Sequence, residues 1–151
     1  MIKIGELNER AIIYQRLFSG ANWCSLVPKM QWVLVIIIES EISSILEEIV
    51  NAIIDNNPLY ICCGGEQSEK FHDFVDDVIL LKNVNDDKNH FPDHFIMTTW
   101  DADWKEALWY AAFAAVDDDG IKTVLCLDAT RIGKEVELIH FVHGGYRELL
   151  Q

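Results

Sequence analysis

The residues best placed for chemistry are carboxylates that follow short apolar runs. Glu39 follows Trp32–Ile38, Asp101 and Asp103 follow Phe95–Thr99, and Asp128 follows Thr123–Leu127. If those runs are strands of one mainly parallel sheet, their carboxyl ends border the crevice where such sheets bind ligands. Carboxylates from three strand ends would suit a hard cation such as Mg²⁺, with Glu39, Asp101 and Asp128 as the ligand set, and that ion would suit phosphoryl chemistry. A local reading competes with this one: Asp101 or Asp103 caps the helix that follows, and the others face water.

Other chemical signals are thin. Gly64-Gly65 lacks both the G-x-G-x-x-G spacing and a phosphate-loop Lys-Ser/Thr, so it reads as a turn. No G-x-S-x-G elbow is present, and Thr98 and Thr99 read as ordinary strand residues. His90 and His94 straddle Pro92, which keeps them from stacking on one helical turn as a metal pair. His140 and His143 would share a helix face that Gly144-Gly145 ends at once, and His72 falls on the polar side of a helix. Cys62, Cys63 and Cys126 sit in apolar runs and read as buried free thiols, the state expected in a reducing compartment. Adjacent Cys62 and Cys63 would point to opposite faces of a strand, which suits neither a disulfide between them nor a shared metal.

Aromatic residues supply a different kind of site. Of the five tryptophans, Trp32 and Trp109 read as core, whereas Trp100 and Trp104 stand four apart at a strand-to-helix junction beside Asp101 and Asp103. Large aromatics ringed by carboxylates would anchor the Lys and Arg faces of a basic partner. The candidate partner-binding residues are Trp100, Asp101, Asp103, Trp104, Asp76 and Asp77. The competing reading has both tryptophans half-buried, holding the helix onto the sheet.

These residues need a scaffold, and the pattern of the chain provides one. Trp32–Ile38 is continuously apolar and β-branched, as a central strand covered on both faces would be. Ser40 reads as the cap of a following helix, along which Ile42, Ile45, Leu46, Ile49, Val50, Ile53 and Ile54 recur at helical spacing until Asn56-Asn57-Pro58. Leu59–Cys63 is a second strand, Glu66–Val78 a second helix, and Phe95–Thr99 a third strand. Trp104–Val116 is a third helix with Leu108, Ala111, Ala112 and Ala115 along one face, ended by Gly120, and Thr123–Leu127 is a fourth strand. The polar stretch Lys82–Asp93 reads as a loop. Glu9–Phe18 fits a helix or an extended lead-in, and Gly133–Val142 leans to helix. Alternating strands and helices imply one α/β domain over residues 1–151, with about four mainly parallel central strands and helices on both faces. Residues 1–31 form a lead-in segment, 32–128 the βα core and 129–151 a C-terminal segment.

The segments Leu59-Tyr-Ile-Cys-Cys-Gly64, Phe74-Val-Asp-Asp77, Phe91-Pro-Asp-His-Phe-Ile-Met-Thr-Thr-Trp-Asp101 and Glu106-Ala-Leu-Trp-Tyr-Ala111 carry a resemblance. From Trp32 to the C-terminus the chain resembles an uncharacterised bacterial family of small acidic α/β domains. Its most specific piece is Pro92-Asp-x-Phe-x-Met-Thr-Thr-Trp100. The resemblance implies the fold and brings no activity and no functional residues.

Bulk composition narrows the function classes. The chain has 151 residues, 50% of them hydrophobic, enough for a continuous core. Its longest apolar run falls well short of the roughly 20 residues that cross a bilayer, and the N-terminus lacks a signal-peptide core, so a cytoplasmic location is expected. The net charge is −13, and it is unevenly placed: residues 39–119 hold 19 acidic and 4 basic side chains, a net of −15, while the rest carry +2. Such a field repels nucleic acid and anionic membranes and speeds encounter with basic proteins. The expected function is a non-enzymatic acidic binding protein that neutralises a basic partner, in its sharpest form a bacterial immunity protein blocking a toxin nuclease and needing no cofactor. The alternative is a small Mg²⁺-dependent enzyme or ligand-binding domain using the strand-end carboxylates.

Overall fold

The structure, a computed structural model, describes residues 1–18, 22–40, 44–85 and 95–151, and within them every side chain but those of residues 44, 45 and 85. The chain begins with a hairpin, β1 (Ile2–Leu7) and β2 (Arg10–Arg16). Its two-residue turn places Asn8 and Glu9 both at positive φ, 50° and 62°, as the tight hairpin turn requires. The strand β2 settles the ambiguity over residues 9–18: Arg10–Arg16 are extended and paired within the sheet.

A 3₁₀ turn at Trp23–Leu26 leads to β3 (Trp32–Ile37), buried at every position. Then come α1 (Ser44–Ile54), β4 (Tyr60–Gly64), α2 (Ser68–Asn85), β5 (Met97–Asp101) and α3 (Trp104–Trp109), the last continued by a π-helical turn at Tyr110–Ala114. β6 (Thr123–Asp128), α4 (Glu135–Val142) and a 3₁₀ turn at Gly145–Leu150 complete the chain. The lean towards helix at 133–142 is met by α4. The expected cap at Ser40 adjoins residues 41–43, which lie outside the described residues, as do His90, Pro92 and His94. Lys82–Asn85, expected in a loop, instead forms the last turn of α2.

Six strands lie in the order β1-β2-β6-β3-β4-β5, all parallel except for the β1–β2 pair. From β3 the chain steps outward to β4 and β5, then reverses and crosses back beyond β3 to β6. Right-handed crossovers in opposite directions place their helices on opposite faces. Two cores result. Leu46, Val50, Ile53 and Ile54 of α1 and Phe71, Val75 and Val78 of α2 pack on one face with Leu34, Ile36, Ile61 and Cys63. Leu108, Ala111, Ala112 and Ala115 of the third helix and Leu138, Phe141 and Val142 of α4 pack on the other with Val33, Val35, Cys62 and Cys126. Cys62 and Cys63 thus face opposite cores, as the alternation of a strand demands, and all four cysteines are free. Burial pushes the thiol of Cys62 up to about 12 and raises those of Cys63 and Cys126 as well.

The described residues between Glu39 and Asp119 belong to α1, β4, α2, β5, α3 and their connections, and β4 and β5 both lie on one side of β3. These described residues hold 15 acidic and 3 basic side chains, a net of −12, against 6 acidic and 8 basic in the other described residues.

Candidate partner-binding surface

The carboxylates at the strand ends do not converge. Asp128, Ile37, Gly64 and Asp101 form one continuous row across β6, β3, β4 and β5. Asp128 and Asp101 therefore lie three strand spacings apart, roughly 14 Å, too far to share an ion. Glu39 is drawn instead to Lys134, whose Nζ lies 3.4 Å from its carboxylate. Lys134 stays raised above its ordinary value against the opposing effect of partial burial, because Glu39 and Glu137 both face it. Among the described residues no three His, Cys, Asp or Glu side chains come together as a metal-holding group. The set Glu39, Asp101 and Asp128 is thus corrected: these residues do not form one cation site.

Asp128 is fully buried and has four donors of its own. Tyr14 donates its hydroxyl at 2.8 Å, Thr130 its N–H at 2.9 Å and hydroxyl at 2.6 Å, and Lys134 its N–H at 2.6 Å. This carboxylate ties β2 to β6 and holds the loop that opens α4. Burial, and then the bond to Asp128, raises the Tyr14 phenol. The Asp-x-Thr pattern at 128–130 was the available sequence signal, since an Asp side chain readily binds backbone two residues on.

At the outer end of the row the expected cluster divides in two. Trp100 is 47% exposed on the last strand of the sheet, whereas Trp104 is only 7% exposed. Trp104 meets the ring of Phe141 edge-on at 5.9 Å and belongs to the core beneath α3. The exposed anchor is therefore Trp100 alone, a correction to the pair expected from sequence. The signal was present: Trp104 extends the Leu108–Ala111–Ala115 stripe backwards by one turn. Trp32 is fully buried as expected, while Trp109 is half-buried against Phe113.

Asp101 and Asp103 both have local duties. Asp101 accepts a bond from the Asp103 N–H at 2.9 Å, and Asp103 caps α3 by accepting from the Lys105 N–H at 2.9 Å. The local reading of these two residues holds, and Asp101, next to Trp100 on β5, faces the opposite side of the sheet. Gly64 makes the junction possible, because a Cβ there would lie 2.8 Å from the backbone of Trp104.

α2 flanks β5 and is fastened to it by polar contacts. Thr98 donates its hydroxyl to Asp76 at 2.7 Å and lies 3.1 Å from Nε2 of His72, whose Nδ1 is 3.2 Å from Asp73. His72 is thus more than a polar-face residue; it bridges helix and strand. Asp76 and Asp77 are both exposed, and Asp76, bonded to Thr98, flanks the face of β5 that Thr98 shares with Trp100. The histidines near the C-terminus serve elsewhere: His143 Nε2 is 2.9 Å from the Ile4 carbonyl, and exposed His140 is 3.8 Å from Glu148. Among the described residues no helix is long and apolar enough to cross a membrane.

Comparison with known families gives a family and no activity. A family model described as a domain of unknown function, DUF7684, matches residues 12–143. The chain belongs to this family. The match runs from within β2 to just past α4, so β1, the first two residues of β2 and the last 3₁₀ turn of the DUF7684 chain lie outside it. No curated protein and no solved structure matches this DUF7684 chain.

Proposed function

We propose that this DUF7684 domain is a non-enzymatic binding protein that neutralises a basic protein, in its sharpest form a bacterial immunity protein that covers the active groove of a toxin nuclease. The observation that carries the proposal is the charge bias: the described residues between Glu39 and Asp119 hold 15 acidic and 3 basic side chains, a net of −12, in elements that include the edge strand β5, where Trp100 stands half-exposed. An acidic field of this kind accelerates encounter with a basic surface by about 10- to 1000-fold, and an exposed Trp supplies the buried anchor that holds the complex. The acidic surface disfavours nucleic acid and anionic membranes for the same reason.

The test is affinity capture from native lysate at low and at high salt. The expected result is one basic protein, recovered in equimolar amount at low salt and reduced at high salt. Recovery of acidic or unrelated proteins only, indifferent to salt, would remove the proposal.

A further inference from the structure

Resting on that reading, the geometry points to a specific docking mode: we infer that β5 receives an extended, basic segment of the partner as an added strand. β5 is the outermost strand on the acidic side of the sheet. Met97 donates its N–H to the Leu59 carbonyl at 3.1 Å, and the Asp101 carbonyl accepts from the Gly65 N–H at 3.0 Å. Residues 97, 99 and 101 therefore direct their backbone groups towards β4. By the alternation of a strand, the N–H and C=O groups of Thr98 and Trp100 point away from the sheet. Among the described residues nothing pairs with them.

Sheet edges are ordinarily protected by lysines, prolines, bulges or strong twist, since an open row of backbone groups invites another strand. Met97-Thr-Thr-Trp-Asp101 contains no Lys or Pro, and its register against β4 is unbroken. Strand addition draws affinity from main-chain bonds and selectivity from alternate side chains. Here the side chains beside the outward groups are Trp100, Asp76 behind Thr98, and Asp101 and Asp103 at the end of the strand. No Lys or Arg occurs from residue 97 to residue 103. A segment with Lys or Arg at alternate positions would place a charge against Asp76 and one aliphatic stem on the Trp100 ring, which share a face of β5. A second copy of this chain is the poorer occupant, because it would bring the same carboxylates face to face.

The probe is a synthetic eight-residue peptide of alternating Lys and Val, compared with the same peptide N-methylated at every residue. The two carry equal charge, and only the first has main-chain N–H groups with which to pair along β5. Amide hydrogen exchange of the full-length protein is followed by NMR with each peptide at saturation. The unmethylated peptide is expected to slow exchange at Thr98 and Trp100 by about tenfold or more while leaving Met97 and Thr99 unchanged. The methylated peptide is expected to bind about tenfold more weakly. Equal binding of both peptides with no protection at Thr98 and Trp100 would overturn strand addition and leave the charge-based reading standing. Failure of both peptides to bind would overturn both readings. Protection at these two amides that rises with protein concentration alone would show that a second copy is the occupant.

Discussion

Replacing Asp128 with Asn tests whether this buried carboxylate is a structural tie. The side chain keeps its shape, but one oxygen becomes an NH₂ group. Each carboxylate oxygen faces donors: Oδ1 takes the Thr130 N–H and hydroxyl, and Oδ2 takes the Tyr14 hydroxyl and the Lys134 N–H. The hydroxyls can turn to accept from the new amide, but the backbone N–H groups cannot. Whichever way the Asn is oriented, one buried N–H loses its acceptor and meets a donor. Loss of a charge-assisted bond and an unsatisfied buried donor each cost about 1–3 kcal/mol, so Asp128→Asn is expected to lose about 3–4 kcal/mol. That loss corresponds to a fall in Tm of about 10 °C in a domain of this size. The assay is urea unfolding of wild type, Asp128→Asn and Asp101→Asn, with and without millimolar Mg²⁺. Asp101→Asn retains an acceptor for the Asp103 N–H and is expected to stay within about 0.5 kcal/mol of wild type. An Asp128→Asn protein as stable as Asp101→Asn would refute the reasoning. So would a Mg²⁺-dependent stabilisation of wild type that either substitution abolishes, since a ligand that binds the native state raises stability by mass action.

Two further outcomes concern the cores. The buried thiols of Cys62, Cys63 and Cys126 ionise at higher pH folded than unfolded, so above an ordinary value near 9 the unfolded chain has released protons that the folded one keeps. Stability is then fully present below about pH 9 and falls above it, by about 4 kcal/mol per pH unit for three such groups. Urea midpoints measured from pH 8 to 11 should show this slope, reduced by a third in Cys126→Ala; a flat profile would contradict the burial. Arg10 is buried with no carboxylate partner among the described residues, and burial lowers its pKa. Its guanidinium donates to the carbonyls of Ala111 and Ala115 at 2.5 and 2.7 Å, closing the C-terminal end of the π-helical turn. Arg10→Ala leaves those carbonyls uncapped and is expected to cost about 2–4 kcal/mol by chemical denaturation; a loss below about 1 kcal/mol would contradict the capping role.

What the sequence disclosed depended on how each element is covered. β3 was legible because burial on both faces leaves an uninterrupted apolar run, and α1 because one face alone is buried. The hairpin escaped because its turn uses Asn8-Glu9 where Asn-Gly is the recognisable pair, and because Ile12 and Ile13 blur the alternation of β2. α2 runs to Asn85, past its last buried residue Val78, so the periodic signal stopped before the helix did. β5 pairs two residues later than expected, over Met97–Asp101, because an edge strand needs less apolar surface than Phe95-Ile96 suggested. In the candidate surface, the residue types around Trp100 were readable, but the inward turn of Trp104 depended on packing against Phe141 from a distant helix. The separation of Asp101 from Asp128 followed from strand order, which local pattern does not encode. The same strand order put β4 and β5, both within the acidic stretch of the sequence, together at one edge of the sheet.

The most direct measurement is the association rate of the captured basic protein with wild type and with a variant carrying Asp77→Lys, Asp101→Lys and Asp103→Ser, the last change removing a charge while keeping a capping side chain. Rates are followed by stopped flow between about 0.01 and 1 M salt, over which the Debye length shrinks from about 30 Å to about 3 Å. The wild-type rate is expected to fall steeply with salt, and the variant to start at least about tenfold slower with a flatter dependence. Superimposable rates for the two proteins across that range would contradict the claim that the acidic stretch guides the partner.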